Sequence, residues 1–98
     1  MTNKDVMIIY HSLPTLKDLK GFKLAKTILL NSKKIENELI SVIREMVKDK
    51  PEEEAEKIYT EIMKETSEIT FITLGEEDIP YDITVEQYAI LNNFIESK

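Results

Sequence analysis

Ninety-eight residues, 42 % hydrophobic and 33 % charged, make a single globular domain, residues 1–98, with a real core but little material for a deep cleft. A formal net charge of −6 argues against a general nucleic-acid or anionic-membrane binder and suits a basic partner. The absence of cysteine removes disulfides and thiolate chemistry and leans the compartment toward cytoplasm, and no apolar run nears the roughly 20 residues of a membrane span.

The chain opens on "MTNKDVMIIYHSLPTL", which has neither the basic start nor the small-residue cleavage site of a signal peptide. Thr2 with Asp5 is an N-cap pattern, so a helix is expected over about residues 3–12, although the run "VMIIY" also suits a strand. Pro14 ends it, and Gly21 marks a turn before the next element. From Phe22 the helical period is clear through Ala25, Ile28, Leu29, Ser32, Ile35, Leu39, Val42, Ile43, Met46 and Val47, which predicts one amphipathic helix to about Asp49. Leu24, Leu30 and Ile40 fall off this stripe and widen it. Pro51 and the acids Glu52, Glu53 and Glu54 open a second helix to about Thr66, and the short link folds the two into an antiparallel hairpin.

"EITFITL", residues 68–74, is β-branched and aromatic and predicts a strand. Its mate is expected to be residues 79–83 across a "GEED" turn, then "VMIIY", then a strand from another subunit. Thr84 with Gln87 caps a last helix to about Glu96. The expected fold class is α+β, mostly α: a long and a shorter helix as an antiparallel hairpin, a short β segment or β-hairpin, and a C-terminal helix.

Rod lengths then pose a problem. About 28 residues span roughly 42 Å and about 16 span roughly 24 Å, so the front of the long helix, residues 22 to about 33, outruns its partner. The C-terminal helix or a second copy must shield it. Charge is unevenly placed: residues 1–34 carry seven Lys and two Asp, residues 35–98 six basic and seventeen acidic residues. Lys17, Lys20, Lys23 and Lys26 gather near a helix N-terminus, the wrong end for cations. Matching against Glu76, Glu77, Asp78, Asp82 and Glu86 is expected to account for them, with Lys33 and Lys34 facing Glu65 and Glu68, and Arg44 near Glu56; the other readings are a basic patch for an acidic or nucleic-acid partner and a solvated face without a role.

Chemistry is sparsely signalled. His11 is the only histidine, without a cysteine or a close acid at ligand spacing, and reads as a solvated or satisfied side chain. The acidic runs suit a helix start and a turn, and "GEED" lacks the alternating ligands of a calcium loop. Gly21 and Gly75 make no phosphate loop. No catalytic residue, cofactor or metal is expected, and a small enzyme would need a pocket around Tyr10 and His11.

"GFKLAKTILLNSKKIENEL", with Leu24, Ala25, Lys26, Asn31, Ile35, Glu36 and Glu38, and then Thr84, Leu91, Ile95 and Glu96, resembles a family of short uncharacterised bacteriophage proteins encoded among structural and tail-region genes. The resemblance implies a phage or prophage origin, in host cytoplasm or on the virion, and no known activity, and it carries over no catalytic residue. Two functions follow as expectations. One is a non-enzymatic interaction module, a structural or assembly accessory that self-associates as a dimer through a helical surface, with Phe22, Ala25, Ile28, Leu29, Ile69 and Phe71 as interface residues. The other is an acidic inhibitory or regulatory mini-protein that binds a basic face of a host nucleic-acid-binding or defence protein. Membrane and nucleic-acid partners are not expected.

Overall fold

In the computed structural model, which describes residues 1–96, local capping starts the first helix where the sequence places it. The Thr2 hydroxyl accepts the Asp5 N–H at 3.2 Å, the Asp5 carboxylate accepts the Thr2 N–H at 2.9 Å, and α1 runs Asn3–Ser12. Pro14 ends the α-helix as expected, but the chain tightens into a 3₁₀ turn, Leu13–Leu16, that buries both leucines. The Thr2 backbone N–H, then its hydroxyl, hold the Asp5 carboxyl below its usual 3.8. A depressed carboxylate contributes stability above that value, and the contribution fades as pH falls through the lower, folded value. The start of α1 should therefore loosen below about pH 4 in the native protein. Asp5→Asn should begin loosened and lose this pH dependence. Amide exchange at residues 3–6 reads the difference, and an equal acid response in both proteins would contradict it.

Gly21, at φ 125°, turns the chain through a conformation that a side chain would strain, and opens the long rod. The rod comprises α2, Phe22–Ile35, a π-helical turn, Glu36–Ile40, and α3, Ser41–Val47. At the turn the Ser41 N–H reaches back five residues to the Glu36 carbonyl. Asp49, at φ 61°, makes the left-handed corner, and α4, Glu52–Lys64, returns antiparallel against α3. Both helices of the hairpin stop about two residues short of the expected limits.

The π turn changes which face is buried. The buried positions of the rod are Leu24, Thr27, Asn31, Ile35, Leu39 and Ile43, four-residue steps after the first. In a straight α-helix, four such steps from Thr27 to Ile43 would drift about 160° around the axis. The wide turn absorbs part of that drift, so one side of the rod stays inward along its length. The front of the helix therefore buries Leu24, Thr27 and Asn31 instead of the stripe Phe22, Ala25 and Leu29 that a uniform period selects. Phe22 is 82 % exposed, Leu29 56 %.

The expected β segment does not form: among the described residues there is no strand, only the single bridges Thr2 with Thr66 and Leu74 with Ile95. Residues 79–83 do not pair with 69–74. Instead "EED" closes a 3₁₀ turn, Glu76–Asp78, and the mates of the open stretch come from elsewhere. Its start is held by the Ser67 N–H donating to the Met1 carbonyl at 2.9 Å. Its end is held by the Leu74 N–H on the Phe94 carbonyl at 2.8 Å and the Glu96 N–H on the Leu74 carbonyl at 3.0 Å. Its middle is held by a side chain. Asn31, 0 % exposed, accepts the Ile72 N–H at 2.7 Å and donates to the Ile72 carbonyl at 2.9 Å. One carboxamide reproduces both bonds that a neighbouring strand would make.

Two apolar clusters flank the rod. Val6, Ile35, Leu39, Ile43, Ile62 and Met63 join α1, the rod and α4. At the front, Ile9, Leu13, Leu16 and Leu24 meet Leu74, Ile90, Leu91 and Phe94 from the tail, where α5, Val85–Leu91, runs into a 3₁₀ turn, Asn92–Phe94. Phe94 stacks edge-on against Phe71 with ring centres 5.1 Å apart. Burying a large apolar side chain of this kind contributes about 1.5–3 kcal/mol, an upper bound. The tail and α1 thus cover the Leu24 side of the front of the rod and leave Phe22, Ala25 and Leu29, expected to be shielded, exposed.

Candidate docking surfaces

Two surfaces remain once the core is closed. The first is the open stretch itself. The N–H groups of Thr70, Phe71 and Thr73 and the carbonyls of Ile69, Thr70, Phe71 and Thr73 have no hydrogen-bond partner among the described residues. Ile69 and Phe71, both expected at an interface, are half-buried against the clusters, while Thr70, Ile72 and Thr73 face outward.

The second is a groove of about 370 Å³ between the 13–19 turn and α2, floored by Leu13, Leu16, Leu19, Ala25, Ile28 and Leu29. Three of the expected interface residues, Ala25, Ile28 and Leu29, line it, and Phe22 lies outside it on the exposed side of α2. Ile28 is half-buried and packs on the front cluster. Tyr10 and Ser32 close one end of the groove: the Tyr10 hydroxyl donates to Glu36 Oε2 at 3.0 Å and the Ser32 hydroxyl to the same oxygen at 3.4 Å. The bond to Glu36, followed by desolvation, raises the Tyr10 phenol above its usual 10.0. The same carboxylate belongs to the first residue of the π turn, so the groove end and the change of helical register meet at Glu36.

Tyr10 and His11 do not share a pocket. Their rings touch edge-on at 5.6 Å, but His11 faces a different groove, of about 440 Å³, with Met7, Ile8, Tyr59 and Met63 between α1 and α4. Besides His11, the groove's polar side chains are Lys4, Tyr59, Thr60 and Lys64, and Thr60 donates to the Glu56 carbonyl. Nothing there pairs the imidazole with an acid or a nucleophile.

Charge matching is limited. Lys23 pairs with Asp78 at 3.1 Å, tying the basic front to the acidic tail as expected, and Lys34 pairs with Glu38 along the helix at 3.5 Å. These are exposed or half-exposed pairs, each worth about 0–1 kcal/mol. The expected pairings of Lys33 and Lys34 with Glu65 and Glu68, and of Arg44 with Glu56, do not occur among the described residues. Lys17, Lys20, Lys26 and Lys33 make no ion pair among them either.

Sequence reasoning missed Asn31 and the groove-end group of Tyr10, Ser32 and Glu36. A signal for Asn31 exists: asparagine is a poor helix former, and in "AKTILLNSKKI" it sits inside a helical apolar run, where a buried hydrogen-bonding task is the natural reason for it. Comparison with known protein families, curated proteins and solved structures finds no match to this chain. No helix of the described residues is long and apolar enough to cross a membrane.

Proposed function

We propose that this protein is a non-catalytic protein–protein interaction module that pairs with a second copy along residues 69–73 and serves as an assembly accessory, in the phage or prophage setting that the resemblance implies. The supporting observation is the unpartnered edge of that stretch. In an extended chain, successive residues turn their N–H and C=O groups to opposite edges. Ile72 and Leu74 turn theirs to Asn31 and the tail, so Ile69, Phe71 and Thr73 present the other edge to a newcomer. "ITFIT" carries no charge, proline or glycine, and such an edge invites another strand. Antiparallel pairing about a two-fold axis at Phe71 sets Ile69 opposite Thr73 and Thr70 opposite Ile72. It keeps Glu68 opposite Leu74, away from the other Glu68, and closes as a dimer.

Light scattering over a range of protein concentrations tests this. The native chain should reach the mass of a dimer. Thr73→Pro, which removes one free donor without touching the Asn31 bonds, and Thr70→Lys, which puts a charge on the outward face, should both shift the transition to at least about tenfold higher concentration. A monomer at every concentration, or dimers indifferent to both changes, would remove the proposal.

A second reading, the acidic mini-protein, draws on α4. Glu52, Glu53, Glu54, Glu56 and Glu61 are exposed and make no ion pair among the described residues. They offer a basic partner an anionic face. Titration with an oligo-arginine peptide should then move α4 amide resonances in a salt-sensitive way, and unmoved resonances would discard this reading.

A further inference from the structure

We propose that the groove between the 13–19 turn and α2 receives an acidic amphipathic helix from a partner protein. The site is separate from the edge of residues 69–73, shares no residue with it, and does not depend on that pairing. Its floor is aliphatic: Leu13, Leu16, Leu19, Ala25, Ile28 and Leu29 supply the apolar bed that the i, i+3, i+4 and i+7 anchors of a docked helix require.

Charge selects the partner. Lys17 lines the groove itself, Lys20 lies in the link just beyond Leu19, and Lys26 and Lys33 stand three residues before and four after Leu29, on its side of the helix. None of the four makes an ion pair among the described residues. Two carboxylates belong to the same two elements. Asp18 lies in the same turn, and Glu36 at the groove end is occupied by Tyr10 and Ser32. The rim is thus net positive on a protein whose overall charge is −6, so it is a local feature that the bulk composition does not produce. A basic rim over an aliphatic floor fits a helix with leucine-like anchors and acidic flanks. Single-stranded nucleic acid needs aromatic faces on which its bases stack, and the only aromatic side chain on this groove, Tyr10, has its hydroxyl bound to Glu36.

The test uses the full chain and a synthetic helical peptide of about 18 residues, with leucines at the i, i+3, i+4 and i+7 positions and glutamates on the remaining face. Titrated into the isotope-labelled protein, it should move the resonances of Leu16, Leu19, Ala25 and Leu29 and leave those of residues 69–73 unmoved. The same peptide with lysines in place of glutamates should bind at least about tenfold more weakly, and the difference should shrink with added salt. Lys26→Glu with Lys33→Glu, both on exposed positions, should keep the native circular dichroism and abolish the preference. Equal binding of the two peptides, perturbations confined to other surfaces, or a single-stranded oligonucleotide moving the same groove resonances more strongly than the acidic peptide would each overturn the proposal. Dimerisation through residues 69–73 is read separately by light scattering, so failure of one site does not decide the other.

Discussion

Replacing Asn31 by leucine is expected to destabilise the protein by about 2–5 kcal/mol, because two backbone groups lose their only partner at once. The Ile72 N–H and carbonyl are bonded to the two ends of the Asn31 carboxamide at 2.7 and 2.9 Å. Leucine fills similar space but offers neither donor nor acceptor. Asn31→Asp keeps the acceptor for the Ile72 N–H, loses the donor, and adds a charge at a position with 0 % exposure. It should therefore be at least as damaging at neutral pH and recover part of the loss in acid. Urea unfolding measures the cost, and exchange of the Ile72 amide locates it, since that proton should become the most accelerated in the 66–74 stretch. A leucine variant that unfolds at the native urea concentration would show that the carboxamide is not what holds the stretch.

The second large effect separates two isoleucines that a uniform helical period treats alike. Ile35→Asp places an unpaired carboxylate where exposure is 0 %, among Val6, Leu39, Ile43, Ile62 and Met63. Such a charge costs several kcal/mol, against a total stability of about 5–15 kcal/mol for a domain of this size, so the variant should be largely unfolded at physiological temperature. Ile28→Asp should behave differently. Ile28 is half-buried at the wall of the groove, where a carboxylate can reach water. It should fold, with a loss of about 1–3 kcal/mol, and impair the acidic-helix site by repulsion. Thermal melts followed by circular dichroism compare the pair. Equal melting of the two variants would contradict the burial pattern imposed by the π turn.

Neither isoleucine stands out in the sequence, and the reason is instructive. From Ile35 through the π turn to Ile43 the periodic stripe and the buried face agree: Ile35, Leu39 and Ile43 belong to both. Upstream they part, because Thr27 and Asn31 are polar and so conceal the face they occupy. Thr27 satisfies its hydroxyl on the Lys23 carbonyl at 2.9 Å, and Asn31 satisfies its amide on Ile72. Pattern reading therefore assigned the front of the helix to Phe22, Ala25 and Leu29, the side left outside. The tail does pack on the front of the rod, but through Leu24, and the expected stripe of Phe22, Ala25 and Leu29 stays exposed. Of the candidate docking residues, Ala25, Ile28 and Leu29 came together in one groove, Phe22 stands apart, and Ile69 with Phe71 lie on the second surface.

The residues alone settled what depends on neighbours within a turn. Thr2 with Asp5 and Thr84 with Gln87 start helices by bonds three residues long, and Pro14 and Pro51 set boundaries through their own backbone geometry. The mate of the 66–74 stretch, the twist of the buried face at Glu36–Ile40 and the composition of the groove were decided by the tertiary structure. Each rests on contacts between distant parts of the chain, such as the forty-one residues separating Asn31 from Ile72, and no local spacing encodes which backbone group a buried side chain will meet.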